Sequence, residues 1–200
     1  FYHLNDPLHP GTFHTSSILS DQGPMSSVVL ADLNPTRLDK MLDGAVAIYD
    51  ADEEKPYSPG RVDLFINLGD DFYTTSVLLT TAGDEDPLAN PIAMRDIEAA
   101  DLDLDGDIDL ITGGDAGDRL VWYSSDWEQY KQSENDPEGP DPHHHTNCPV
   151  MQPYPIKIAG ESPMVTDLRD IAVGDLTNNG KPDIVGASVA DNAVYFYHNW

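Results

Sequence analysis

Residues 101–109 read DLDLDGDID, which sets carboxylates at Asp101, Asp103, Asp105 and Asp109 around a bend at Gly106. Alternating acids on a tight turn bring oxygen ligands together, and a hard cation such as Ca²⁺ takes roughly six to eight of them. The spacing is that of the first part of an EF-hand loop. Where such a loop closes with a bidentate Glu, however, this chain has Thr112. The flanks, DIEAA before the loop and Leu110-Ile111-Thr112 after it, read as strands rather than helices. The chemistry expected here is calcium binding by a loop between two β-strands.

The elements around that loop recur. Residues 96–111, DIEAADLDLDGDIDLI, align without a gap to residues 170–185, DIAVGDLTNNGKPDIV. Asp101, Gly106 and Asp109 return as Asp175, Gly180 and Asp183, while Thr177 and Asn179 replace Asp103 and Asp105 and keep a side-chain oxygen. A third copy begins at VVLADLN, residues 28–34, with Asp32 and Asn34 at the first two ligand places. Aligned this way, seven extra residues precede Leu42-Asp43-Gly44, and the last acidic place falls on Ala47. Aromatic strand ends keep step with the loops at residues 1–5, 64–67, 120–123 and 195–199. The unit is strand, acidic loop, strand, turn, aromatic strand, then a weaker fourth strand such as residues 12–15. Four short strands repeating every roughly 40–60 residues are the mark of β-propeller blades.

This pattern resembles the FG-GAP/VCBS repeats of integrin α-subunit-like β-propellers, whose D-x-D-x-D-G-x-x-D loops bind structural Ca²⁺. The resemblance covers most of the chain as three repeats, at about 14–80, 81–135 and 156–200, with insertions at 50–60 and 126–155. It is specific at 96–125, good at 168–200 and degraded at 28–80. It implies an all-β fold of four-stranded blades. It also implies two ligand sets, Asp101, Asp103, Asp105 and Asp109 with the carbonyl of Asp107, and Asp175, Thr177, Asn179 and Asp183 with the carbonyl of Lys181. Three blades fall short of the roughly four to eight that close a ring. With a start inside a repeat and no leader, the chain is expected to be part of a larger propeller or to assemble with other copies.

Composition narrows the function. The formal net charge is −26, from 36 acidic and 10 basic residues, which opposes binding to nucleic acid and to anionic membranes. Two Ca²⁺ ions would offset only about four of those charges. No run approaches the ~20 apolar residues of a membrane span, so no direct membrane insertion is expected. Cys148 is the only cysteine; it pairs outside this chain or stays a free thiol. His143, His144 and His145 are adjacent in a Pro-rich insertion, lack metal-ligand spacing, and read as a polar solvated loop.

No G-x-S-x-G elbow, H-E-x-x-H pair or phosphate-binding Gly loop is present. The expectation is a non-enzymatic, extracellular or cell-surface module for structural assembly or adhesion, recognising a protein or glycan partner. Two alternatives stand beside it. One is the propeller domain of a secreted polysaccharide lyase or hydrolase, kept open by spare carboxylate pairs and by Trp122, Tyr123, Trp127 and Tyr130. These aromatics can stack on sugars, although an aromatic strand end more often packs in the blade core. The other is a calcium-dependent lectin. Loops without a bidentate Glu bind weakly, at roughly 10⁻⁴–10⁻³ M, and fill only outside the cell. Charge ranks them: residues 101–109 first, 175–183 weaker, and the degraded loop at 32–47 weakest or empty.

Overall fold

The computed structural model describes residues 17, 24–33, 41–49, 61–67, 72–76, 92–116, 120–125, 151–155 and 167–200. The described chain is all-β and has no helix. Strands β1 (Met25–Ala31), β2 (Asp43–Ile48), β3 (Arg61–Asn67) and β4 (Phe72–Ser76) form one antiparallel meander. A second comprises β5 (Ile92–Ala100), β6 (Asp109–Ala116), β7 (Leu120–Ser125) and β8 (Met151–Pro155). The third has β9 (Leu168–Gly174), β10 (Asp183–Ser188) and β11 (Ala193–Tyr197). The acidic loops join β5 to β6 and β9 to β10, and three of the expected aromatic segments fall on β3, β7 and β11. The last five residues of the expected 126–155 insertion are β8, paired to β7. Residues 1–5, 12–15, 34–40, 50–60, 126–150 and Cys148 with the three histidines lie outside the described residues.

The sheets stack in series, with β1 packed on β5 and β5 on β9. One core lies between the first two sheets, built from Leu33, Val62, Leu64, Ile66, Met94, Ile97, Leu110, Val121 and Tyr123 with Ala45 and Ala47. A second lies between the second and third, from Leu102, Ile111, Leu120, Leu168, Ile171 and Ile184. This explains the sequence of β6. A strand covered on both faces needs consecutive apolar residues, so Leu110 faces one core and Ile111 the other. Each such side chain contributes about 1.5–3 kcal/mol of transfer free energy. Gly113 lets the sheets approach, since a Cβ there would meet Ile171 and Leu168 at 3.2 and 3.3 Å.

The stack ends on an uncovered face. The register aligns Asp43, Asp109 and Asp183, opposite Ala31, Ala100 and Gly174. Counted from there, the places of Val62 and Leu120 become Val194, and those of Leu33 and Leu102 become Leu176. Leu33, Val62, Leu102 and Leu120 are buried, whereas Val194 is 71% exposed, Leu176 60% and Phe196 51%. Burial in β11 therefore alternates, because only one of its faces meets another sheet.

One carboxylate bolts the three sheets together. Asp96 in β5 accepts the Ser27 hydroxyl of β1 at 2.6 Å on Oδ1 and the Ile171 N–H of β9 at 2.7 Å on Oδ2. The Ile97 N–H also donates to Oδ1 at 2.9 Å. Nearby, the Ser26 hydroxyl donates to the Met94 carbonyl at 2.8 Å, and the Arg95 guanidinium stacks 3.9 Å above the Tyr49 ring.

Removing the Asp96 carboxylate strands donors in two other sheets, and hydrogen bonds to a charged group are worth about 1.5–3 kcal/mol each. Asp96→Ala should cost about 2–4 kcal/mol in urea unfolding. Asp170→Ala, exposed on β9, should stay within about 0.5 kcal/mol. Equal effects of the two would refute the bolt.

Candidate metal centre

The two acidic loops share one backbone. Gly106 and Gly180 hold positive φ of 98° and 86°, and the residues two places earlier, Leu104 and Asn178, hold 65° and 55°. Left-handed geometry favours Gly and tolerates Asn, so exposed Leu104 carries strain that Asn178 largely avoids. Side-chain oxygens of the loops brace this turn. Asp101 Oδ2 accepts the Gly106 N–H at 3.0 Å, Asp103 Oδ1 that of Asp105 at 3.3 Å, and Asp105 Oδ1 that of Asp107 at 2.9 Å. In the other loop Asp175 accepts the N–H groups of Asn179 and Gly180 at 3.0 and 2.9 Å, and Asn179 Oδ1 that of Lys181 at 2.8 Å.

The last acid of each loop does a second job. Asp109 is fully buried; its Oδ2 accepts the Leu102 N–H at 2.9 Å and its Oδ1 the Ser125 N–H at 2.9 Å. It thus ties the start of the loop to the end of the third strand. Asp183 does the same with Leu176 at 3.0 Å and Asn199 at 2.9 Å. In the first sheet the residue that repeats this is Asp43, which accepts from Leu33 at 3.1 Å and Asn67 at 2.8 Å. Ala47 is therefore not the equivalent of the last acid. Asp43 is, and the insertion in that loop is correspondingly shorter than the alignment suggested. The same clasp closes all three sheets, so buried Asp at this place has a role that needs no ion.

The two intact loops differ in how well they settle their charge. In the first, one ligand oxygen each from Asp101, Asp103 and Asp109 lies within 4.8 Å of the others. Burial pushes the Asp109 carboxyl up to about 6; the Ser125 and Leu102 N–H groups and the Trp122 indole only partly offset this, and Asp103 adds repulsion. Asp103 is also raised, by burial and then by the charge of Asp105. Asp101 Oδ1 is buried with no hydrogen-bond partner. Crowded carboxylates short of donors are what a bound cation relieves.

The second loop is self-satisfied. Burial acts on Asp183 too, but N–H donors from Asn199, Thr177 and Leu176 and the Thr177 hydroxyl outweigh it and hold its carboxyl below the usual range. The Thr177 hydroxyl is spent on Asp183 at 3.2 Å, and the Asn179 amide on the Asn199 carbonyl at 2.8 Å. The Lys181 ammonium reaches the Trp200 carbonyl, placing a positive charge beside this loop. The first-place acid of the degraded loop, Asp32, resembles Asp101 in having a buried Oδ1 without a partner.

Comparison with protein-family models, with curated proteins and with solved structures returned no match.

Sequence reading missed the clasp partners Ser125 and Asn199, although both stand 16 residues beyond their Asp. That shared spacing was the available signal.

A proton binds Asp109 more tightly in the folded chain than in the unfolded one, where its carboxyl titrates near an ordinary value of about 3.9. By linkage, this group lowers the stability of the metal-free protein as pH rises from about 4 to about 6. The difference between wild-type and Asp109→Asn melting temperatures, measured in chelator, should carry that step. Calcium, which selects the ionised form, should diminish it. A difference that does not change with pH would refute this reading of Asp109.

Proposed function

We propose that this chain is a calcium-binding, extracellular β-propeller-type module of the FG-GAP/VCBS kind, serving structural assembly or adhesion through a protein or glycan partner. The observation that carries the reading is the first acidic loop, where Asp101, Asp103 and Asp109 converge with more negative charge than their donors settle. Asp105 and the Asp107 carbonyl stand on the same turn and would complete an oxygen cage of the size Ca²⁺ prefers. Each oxygen of the cage is hard, and such sets discriminate against softer metals.

The stacking supports the propeller reading. Three meanders pack face to face with their first strands adjacent, and the third presents an apolar face that its counterparts bury. A further sheet of the same type, in this protein or another copy, is the natural cover. Calcium's part is to hold the bend between the first two strands of a blade, not to react. A site without a bidentate Glu falls in the roughly 10⁻⁴–10⁻³ M range, which puts its use outside the cell. The net charge of −26 directs recognition toward polar, cation-bridged or basic partners.

Calorimetry tests the ion. Calcium should bind with a sub-millimolar constant and Mg²⁺ much more weakly, since Mg²⁺ demands a rigid octahedron and sheds water reluctantly. Asp105→Ala should remove the tighter event, and chelation should lower the melting temperature of wild type but barely that of the variant. Asp175→Ala should leave the tighter event in place. Equal affinity for both ions, or a melting curve indifferent to chelator, would sink the assignment.

A further inference from the structure

We infer that Asn199 couples ion occupancy of the 101–109 loop to the seating of the third sheet on the second. The inference rests on the calcium reading of that loop. Leu102 is the link. It lies between two of the converging acids, Asp101 and Asp103, so an ion holding both fixes the Leu102 peptide between them. Its side chain is buried in the core shared by the second and third sheets. Its N–H donates to Asp109 Oδ2 at 2.9 Å, and its carbonyl accepts the Asn199 side-chain amide at 2.7 Å. That last bond spans 97 residues and crosses from one sheet to the next.

Asn199 is itself held by the loop of its own sheet. Its N–H donates to buried Asp183 at 2.9 Å, and its carbonyl accepts the Asn179 amide at 2.8 Å. A continuous relay therefore runs Asp183–Asn199–Leu102–Asp109, joining the clasp of one sheet to the clasp and ion loop of another. The counterparts of Asn199 are placed differently. The Asn67 amide donates to Leu42 within its own sheet at 3.3 Å, and the buried Ser125 hydroxyl has no partner. The Asn179 side-chain N–H thus supports Asn199, whose own amide reaches the neighbouring loop.

The relay has two consequences, and thermodynamic reciprocity requires both together. An ordered Leu102 carbonyl seats Asn199, so calcium tightens the third sheet. Conversely, Asn199 pre-orders the loop and raises its affinity for calcium. Coupling between sites of this kind commonly spans about 5–150-fold in affinity. Asn199 acts through the peptide between the ligands and touches no ion, so it is a positioning residue.

The test titrates calcium chloride into wild type, Asn199→Ala and Val62→Ala by calorimetry, at a temperature where circular dichroism shows each folded. Amide hydrogen exchange of wild type is followed with and without calcium. Asn199→Ala should bind calcium about fivefold more weakly or worse. Val62→Ala, which loosens the core between the first two sheets, should match wild type within about twofold. In wild type, calcium should slow exchange at Ile171–Val173 and Tyr195–Asn199. Wild-type affinity in Asn199→Ala, or exchange in the third sheet indifferent to calcium, overturns the coupling while leaving the ion site standing. A wild type that takes up no calcium overturns the ion site, and the coupling with it. The exchange measurement needs no variant, so misfolding of Asn199→Ala does not shield the inference.

Discussion

The structure depends on a buried carboxylate at the start of the second strand of each sheet. Asp43, Asp109 and Asp183 each take a loop N–H on one oxygen and the N–H at the end of the third strand on the other. Burying an ionised group is expensive unless it is hydrogen-bonded or paired. Each sheet meets that cost in its own way. The third recruits a hydroxyl and an extra N–H, and its Asp stays comfortably ionised. The second does not; its Asp is pushed up and faces two further acids. Under the proposed calcium reading, a cation would supply the compensation there. The clasp and the acidic cluster share a residue: Asp109 closes the sheet and stands within 4.8 Å of Asp101 and Asp103.

Much of this was legible in the chain. Strand-like flanks on either side of acidic, Gly-containing turns marked β5, β6, β9 and β10, and the gapless repeat placed the two loops on the same connection. The last acid of the first loop was placed four residues late, at Ala47 instead of Asp43, because the insertion hides the spacing. Asp43 precedes Gly44 and looks like a turn dipeptide, whereas it opens a strand; Gly44 is there because the Phe65 ring lies where its Cβ would be. Asp109 and Asp183 were visible as acids, but ligand and clasp are the same residue type at the same position. Only the donor lists separate their roles.

What the sequence hides most completely is the joinery between sheets. Asp96 reaches residues 69 and 75 places away, and Asn199 reaches one 97 places away. No local pattern announces such bonds. They depend on how face-to-face packing aligns strand ends, which is set by Gly113 and by the two apolar cores rather than by the residues that make the bonds. The same packing explains why Leu176 and Val194 remain exposed while their counterparts vanish into cores. Composition says only that such a chain is acidic; the stack says where the acid is spent.

The most direct measurement is anomalous scattering from crystals of this protein soaked in calcium at low millimolar concentration. The account predicts a peak at coordination distance, about 2.3–2.6 Å, from oxygens of Asp101, Asp103, Asp105 and Asp109. It predicts a weaker peak or none beside Asp175 and Thr177. A peak at the second loop in the absence of one at the first, or no peak at either, would contradict it.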